Sequence, residues 1–159
     1  MKTAIIYRSH HGTTEKVASM LREAIGKEDT SIFNLKTAGK IDLGSYDKVI
    51  IGGSIHAGNV QKSVKVFCNS NMETLLAKPL GLFLSCMEEE KAQEQFDNAF
   101  PELLRSHARS CKLTGGEFNF DRMNFLERAI IKKISGIKES VSKIDETRIR
   151  EMVLEMSDA

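Results

Sequence analysis

Short runs with no polar face alternate with amphipathic segments along most of this chain, and that alternation leaves few folds open. Ala4-Ile5-Ile6-Tyr7, Val49-Ile50-Ile51-Gly52-Gly53 and Leu80 to Cys86 are almost continuously apolar or small. Runs of this length and character suit strands covered on both faces. Ile32 to Leu35 reads as a weaker strand and Cys111 to Phe120 as a longer, fifth one. Between the strands, Val17, Met20, Leu21, Ala24 and Ile25 recur at helical spacing, as do Val64, Phe67, Cys68, Met72, Leu75 and Leu76. Pro79 stops the second of these helices. Ala92, Phe96, Ala99, Phe100, Leu103 and Leu104 mark a third, which Pro101 should kink or restart. Met123 to Ile134 reads as helical, and the last helix carries Ile149, Met152, Val153 and Met156 behind Asp145 as N-cap. Strands alternating with helices predict an α/β fold. The expected form is a doubly wound, five-stranded parallel sheet with helices on both faces, one domain over residues 1–159, and an insert after strand five.

Composition narrows the function classes. The net charge is +1, so no global field points to nucleic acid. The three cysteines, Cys68, Cys86 and Cys111, have neither metal nor redox spacing and read as reduced thiols. No charged leader precedes a long apolar run, and no apolar stretch approaches the roughly 20 residues needed to span a bilayer. A cytoplasmic protein is the expectation.

The first candidate site is Ser9-His10-His11-Gly12-Thr13-Thr14, which joins a buried strand to an amphipathic helix. A helix N-terminus has unpaired N–H groups and a partial positive charge, so it attracts anions. Gly12 permits a tight turn, and Ser9, Thr13 and Thr14 add hydroxyl donors. A phosphate can be held this way without lysine. Neither G-x-x-x-x-G-K-[ST] nor G-x-G-x-x-G is present, which argues against NTP hydrolysis and against NAD. Taken alone, the loop reads equally well as a simple helix cap.

The third strand changes that balance. In an open parallel sheet, ligands sit beyond the strand carboxyl ends where strand order reverses. For order 2-1-3-4-5 that point lies between strands one and three. The loop Gly52-Gly53-Ser54-Ile55-His56-Ala57-Gly58-Asn59 should therefore share a crevice with the first loop. Its small residues allow close backbone approach to a planar ring.

Tyr7-Arg8-Ser9-His10-His11-Gly12-Thr13-Thr14 together with Tyr46-Asp47-Lys48-Val49-Ile50-Ile51-Gly52-Gly53-Ser54-Ile55 resembles the flavodoxin superfamily. More narrowly, it is similar to the branch that includes menaquinone-dependent protoporphyrinogen IX dehydrogenase. The similarity continues through Gly115-Gly116-Glu117-Phe118 into Met123 to Arg128 and Ile130 to Gly136, so it covers nearly the whole chain. The resemblance implies FMN and redox chemistry. It implies a phosphate on Ser9 to Thr14. It also implies a flavin ring between Ser54 to Asn59 and the loop Ser85-Cys86-Met87-Glu88, with Gly115 and Gly116 near the same sheet edge.

The chain departs from the pattern in informative ways. Many flavodoxins stack the ring between aromatics, yet there is no tryptophan here and neither flavin loop contains Tyr or Phe. Ile55, His56 and Met87 stand instead, an arrangement expected to raise the last reduction potential. The porphyrinogen enzymes carry an arginine and an aromatic where this chain has Ile55-His56-Ala57. Glu88, Glu89 and Glu90 would repel propionates, suit a basic partner, or simply begin a helix. The insert, residues 121–138, is basic and amphipathic: it fits an anionic membrane surface near a quinone, the sheet edge, or a second subunit. His10 and His11 lack carboxylate or cysteine neighbours in the sequence, so no metal is expected. Two functions remain: an electron carrier between a donor and a redox partner protein, or a dehydrogenase passing electrons from a small molecule to a quinone. In the carrier, Gly58 makes rotation of a carbonyl in Ala57-Gly58-Asn59 inexpensive.

Overall fold

The computed structural model describes residues 1–118, 126–127, 129, 133 and 141–157. β1 spans Thr3–Tyr7, β2 Thr30–Asn34, β3 Lys48–His56, β5 Leu80–Ser85 and β6 Ser110–Leu113, in the order β2-β1-β3-β5-β6. All four pairings along that path are parallel. This is the doubly wound order expected from the sequence. A short β4, Asn59–Val60, folds back antiparallel on β3.

Strand periodicity sorts the core into two halves. Successive side chains point to opposite faces of a sheet. Ile5 and Tyr7 of β1 accordingly join one cluster with Val17, Ala18 and Leu21 of α1 (Thr13–Ile25) and with Ile149, Met152 and Met156 of the C-terminal helix (Glu146–Ser157). Ala4 and Ile6 join the other cluster, with Val64 and Cys68 of α2 (Lys62–Ser70), Leu75 of α3 (Met72–Leu76), Phe96 of α4 (Ala92–Ala99) and Leu104 of α5 (Glu102–His107). Lys48 opens β3 and is nearly buried; its Nζ donates to the Met156 carbonyl at 2.7 Å. A cation suits that spot, because the last carbonyls of a helix are unpaired.

Two elements differ from the sequence expectation. The helix over Val64 to Leu76 is two helices, broken at Asn71. The Asn71 side chain donates to the Phe67 carbonyl at 2.9 Å, beside its own backbone N–H at 3.1 Å. An asparagine that competes for helix carbonyls in this way favours a break. Pro101 does restart the chain, separating α4 from α5. The fifth strand is shorter than the run Cys111 to Phe120. Thr114 N–H makes a bond to the Leu84 carbonyl at 3.0 Å, and Gly115 then turns the chain with φ of 72°. Beyond it, β7 (Glu117–Phe118) pairs with β8 (Val141–Ser142) in a separate two-stranded sheet. In the helix expected over Met123 to Ile134, Leu126, Glu127, Ala129 and Lys133 are helical; the rest of that expectation lies outside the described residues.

One glycine in β3 is required by packing. The register sets Gly52 opposite Phe83. A Cβ at Gly52 would meet the Phe83 ring at 1.9 Å, and that ring is fully buried. We expect Gly52→Ala to lower stability by about 1–3 kcal/mol, as overpacked cores do. Urea unfolding checks this, and Phe83→Leu in the same background should recover part of the loss.

Candidate functional site

The carboxyl ends of β1, β3 and β5 open on a cavity of about 410 Å³, a size suited to a small ligand or cofactor. The first loop contributes Ser9, His10, His11 and Thr13 to its wall. β3 and its turn contribute Ser54, Ile55, His56, Ala57 and Gly58, and the segment after Leu84 contributes Ser85, Cys86, Met87 and Glu88. Gly116 closes one side. Of the residues singled out from sequence, Gly12, Thr14, Asn59 and Gly115 are not on this wall.

The β1–α1 junction carries the strongest anion-binding character. Gly12 has φ of 94°, a conformation that disfavours any side chain. Its N–H donates to Ser9 Oγ at 2.9 Å, and no side chain caps α1. Thr14 is fully buried, and its Oγ1 has no hydrogen-bond partner among the described residues. A buried hydroxyl left unpaired is costly. An uncapped helix start beside such a hydroxyl fits a phosphate oxygen.

The second loop is a hairpin, with β4 paired antiparallel to the end of β3. Ala57 and Gly58 have φ of 51° and 81°. Two positive φ values in succession are what a tight two-residue turn of this hand requires. Ala57 is strained there, since only glycine adopts this region freely. Gln61 braces the hairpin: its Nε2 donates to Ser54 Oγ at 2.6 Å, and its Oε1 accepts from Ser54 N–H at 3.0 Å.

Gly115 and Gly116 tie the far side together. Cys86 N–H donates to the Gly115 carbonyl at 2.9 Å, Lys143 N–H to the Gly116 carbonyl at 2.7 Å and Asp145 N–H to the Thr114 carbonyl at 2.9 Å. A Cβ on Gly115 would lie 1.9 Å from the Lys143 carbonyl oxygen. Both glycines therefore let backbones pass closely, and Gly116 alone reaches the cavity.

Three lining residues were not singled out for the pocket from sequence: Gln95, Glu117 and Glu127. Glu117 faces Lys16, 3.7 Å from Nζ to carboxylate. Glu127 accepts from His11 Nε2 at 2.8 Å and lies 3.2 Å from His10 Nε2. The premise that these histidines have no carboxylate neighbour is thereby corrected. The carboxylate comes from more than a hundred positions away, which no local spacing could announce. A smaller cavity between β6 and the C-terminal helix holds Lys112 and Glu151, but these pair with each other at 3.2 Å.

With this geometry in place, the comparisons give the class. A family model described as the flavodoxin domain matches residues 4–145, and the chain belongs to that family. It is 27% identical over 148 residues to protoporphyrinogen IX dehydrogenase (quinone) of Escherichia coli K12, covering 86% of this chain and 81% of that protein. Among solved structures, the rubredoxin oxygen:oxidoreductase of Desulfovibrio gigas aligns with TM-score 0.62 and 16% identity over 99% of this chain, which spans 36% of that longer one. The Fusobacterium nucleatum flavodoxin bound to flavin mononucleotide aligns with TM-score 0.54 and 15% identity, covering 99% of this chain and 98% of that one.

Cys86 is not an activated thiol. Burial pushes its pKa above the ordinary thiol value, with the Glu88 charge adding to the rise and a backbone hydrogen bond from Glu88 opposing it. Its Sγ donates to Gln95 Oε1 at 2.7 Å. Thiolate is the reactive form. Alkylation of Cys86 by iodoacetamide should therefore be slower than that of free cysteine at pH 7, and its rate should still climb with pH where that of free cysteine has levelled off. Mass spectrometry of the labelled peptide checks this.

Proposed function

We propose that this chain is an FMN-binding redox protein that carries electrons between partners. The observation that carries the reading is the uncapped start of α1, with the orphaned Thr14 hydroxyl behind it, opening on a cavity at the reversal of strand order. Anions bind where unpaired N–H groups converge. Ser9, Gly12, Thr13 and Thr14 hold the phosphate, with His10 and His11 beside it. Ser54 to Asn59 and Ser85 to Met87 flank the ring, and Gly115 and Gly116 close the edge. FMN supplies one- and two-electron transfer when bound; the chain holds it, shields it and tunes its potential. The flavodoxin family and the FMN-bound relative from Fusobacterium nucleatum support this cofactor.

A second reading has its own support. The Escherichia coli relative is a protoporphyrinogen IX dehydrogenase (quinone), so an enzyme passing electrons from a small molecule to a quinone is the alternative. Glu88 on the pocket wall opposes an anionic porphyrinogen and favours the carrier, while Glu117 and Glu127 are engaged by Lys16 and by His10 and His11. Peripheral membrane contact through residues 121–138 belongs to the enzyme reading; Glu127 of that segment turns to His10 and His11. Among the described residues no helix is long and apolar enough to cross a membrane. Turnover of protoporphyrinogen with a menaquinone analogue by purified protein would favour the enzyme. Its absence, with reversible flavin reduction, favours the carrier.

Thr14→Val tests the phosphate site. Valine keeps the shape and removes the unpaired hydroxyl, so unfolding of the FMN-free protein should be unchanged or need slightly more urea. FMN affinity, followed by flavin fluorescence, should fall about tenfold, the equivalent of roughly 1.4 kcal/mol. Equal FMN affinity in the variant would remove Thr14 from the site.

A further inference from the structure

The rim of the pocket carries a second cluster. His10, His11, His56 and Glu127 bring one ligand atom each to within 4.8 Å of one another. They come from three segments: the β1–α1 loop, the end of β3, and the helical residues after β7. The His10 and His56 rings stack with centroids 3.8 Å apart, and those of His10 and His11 meet edge-on at 4.1 Å. His10 Nε2 and His11 Nε2 converge on the same Glu127 oxygen, Oε2, at 3.2 and 2.8 Å.

We propose that these four residues form a binding site for a divalent transition-metal cation, with Zn²⁺ as its ligand. Three imidazoles and one carboxylate are the donor set of a borderline-soft ion, and four such donors complete a tetrahedron. Mg²⁺ and Ca²⁺ require oxygen ligands, and this cluster has one carboxylate. Zinc bonds of about 2.0–2.1 Å set tetrahedral ligands about 3.4 Å apart. The ligand atoms of the cluster already lie within 4.8 Å of one another, close to that spacing. Binding takes the Nε2 protons from the histidines that now donate to Glu127, either to Nδ1 or to solvent. The ion then joins loop, hairpin and insert at one rim of the cavity, with the hydrogen-bonded carboxylate turned into a ligand. The four ligands also line the cavity assigned above to FMN, so the ion and the cofactor would share this rim.

Isothermal titration of Zn²⁺ tests it, run on protein of measured FMN content and on a flavin-free preparation in parallel. The expected result is one ion per chain in at least one preparation. Co²⁺ in its place should give the visible bands of a four-coordinate ion, at wavelengths beyond oxidised flavin. His56→Ala and Glu127→Gln should each weaken Zn²⁺ binding by about tenfold or more, because loss of even an outer-shell partner costs ~10–100-fold. Circular dichroism confirms that each variant is folded, and Glu127→Gln keeps the side-chain volume. Absence of saturable binding in both preparations, or an affinity unchanged in either variant, overturns the site and leaves a purely hydrogen-bonded cluster.

Discussion

Tyr7 lies opposite Gly52 where β1 pairs in parallel with β3, and the cavity opens just beyond that level of the sheet. The pairing brings together two strands that are not neighbours in sequence, because β2 leaves to the other side of β1. Parallel strands carry both their exits to the same edge. Ser9 to Thr14 and Ser54 to Asn59 therefore meet without any contact designed between the loops themselves. The Arg8 N–H bond to the Gly52 carbonyl, at 3.2 Å, is the last rung before the two chains separate. If that register slipped by one residue, every core side chain of β1 would change faces. The two halves of the core and the pocket consequently depend on the same set of rungs.

Glycines shape the segments around the pocket. Gly12, Gly58 and Gly115 all have positive φ, and each sits where the chain leaves a strand or starts a helix. Gly52, inside β3, serves a different purpose: it admits the Phe83 ring that seals the sheet beneath the site. The consequence is a floor that cannot yield and walls made of short turns.

The fold was legible because its signals are local. Four-residue apolar runs separated by helical spacing specify a parallel sheet, and Pro101 marks a real break. Asn71 and Gly115 mark breaks too, but each acts through a bond or a close approach to another segment that the sequence does not display. The pocket was legible in its two glycine loops, since turn chemistry is local as well. The hairpin form of Ser54 to Asn59 was not, because Ala57 is a poor residue for its own conformation and gives no turn signal. Glu127 was the least legible residue: its partners, His10 and His11, lie at the opposite end of the chain.

The rim therefore has two electrostatic characters that the floor does not share. On one side three imidazoles crowd around a single carboxylate; on the other, Glu88 and Glu117 bring negative charge close to the same opening. Ile55 and Met87 line the same opening, and neither is aromatic. An aromatic face would press against a reduced, negatively charged ring and disfavour it; an aliphatic or thioether contact lacks that repulsion. Cationic character at the histidines, from protons or from a bound ion, would stabilise added negative charge further, while the acids would oppose it. On the carrier reading, the balance at this rim, rather than the first loop, sets how readily electrons enter and which partner can approach to take them.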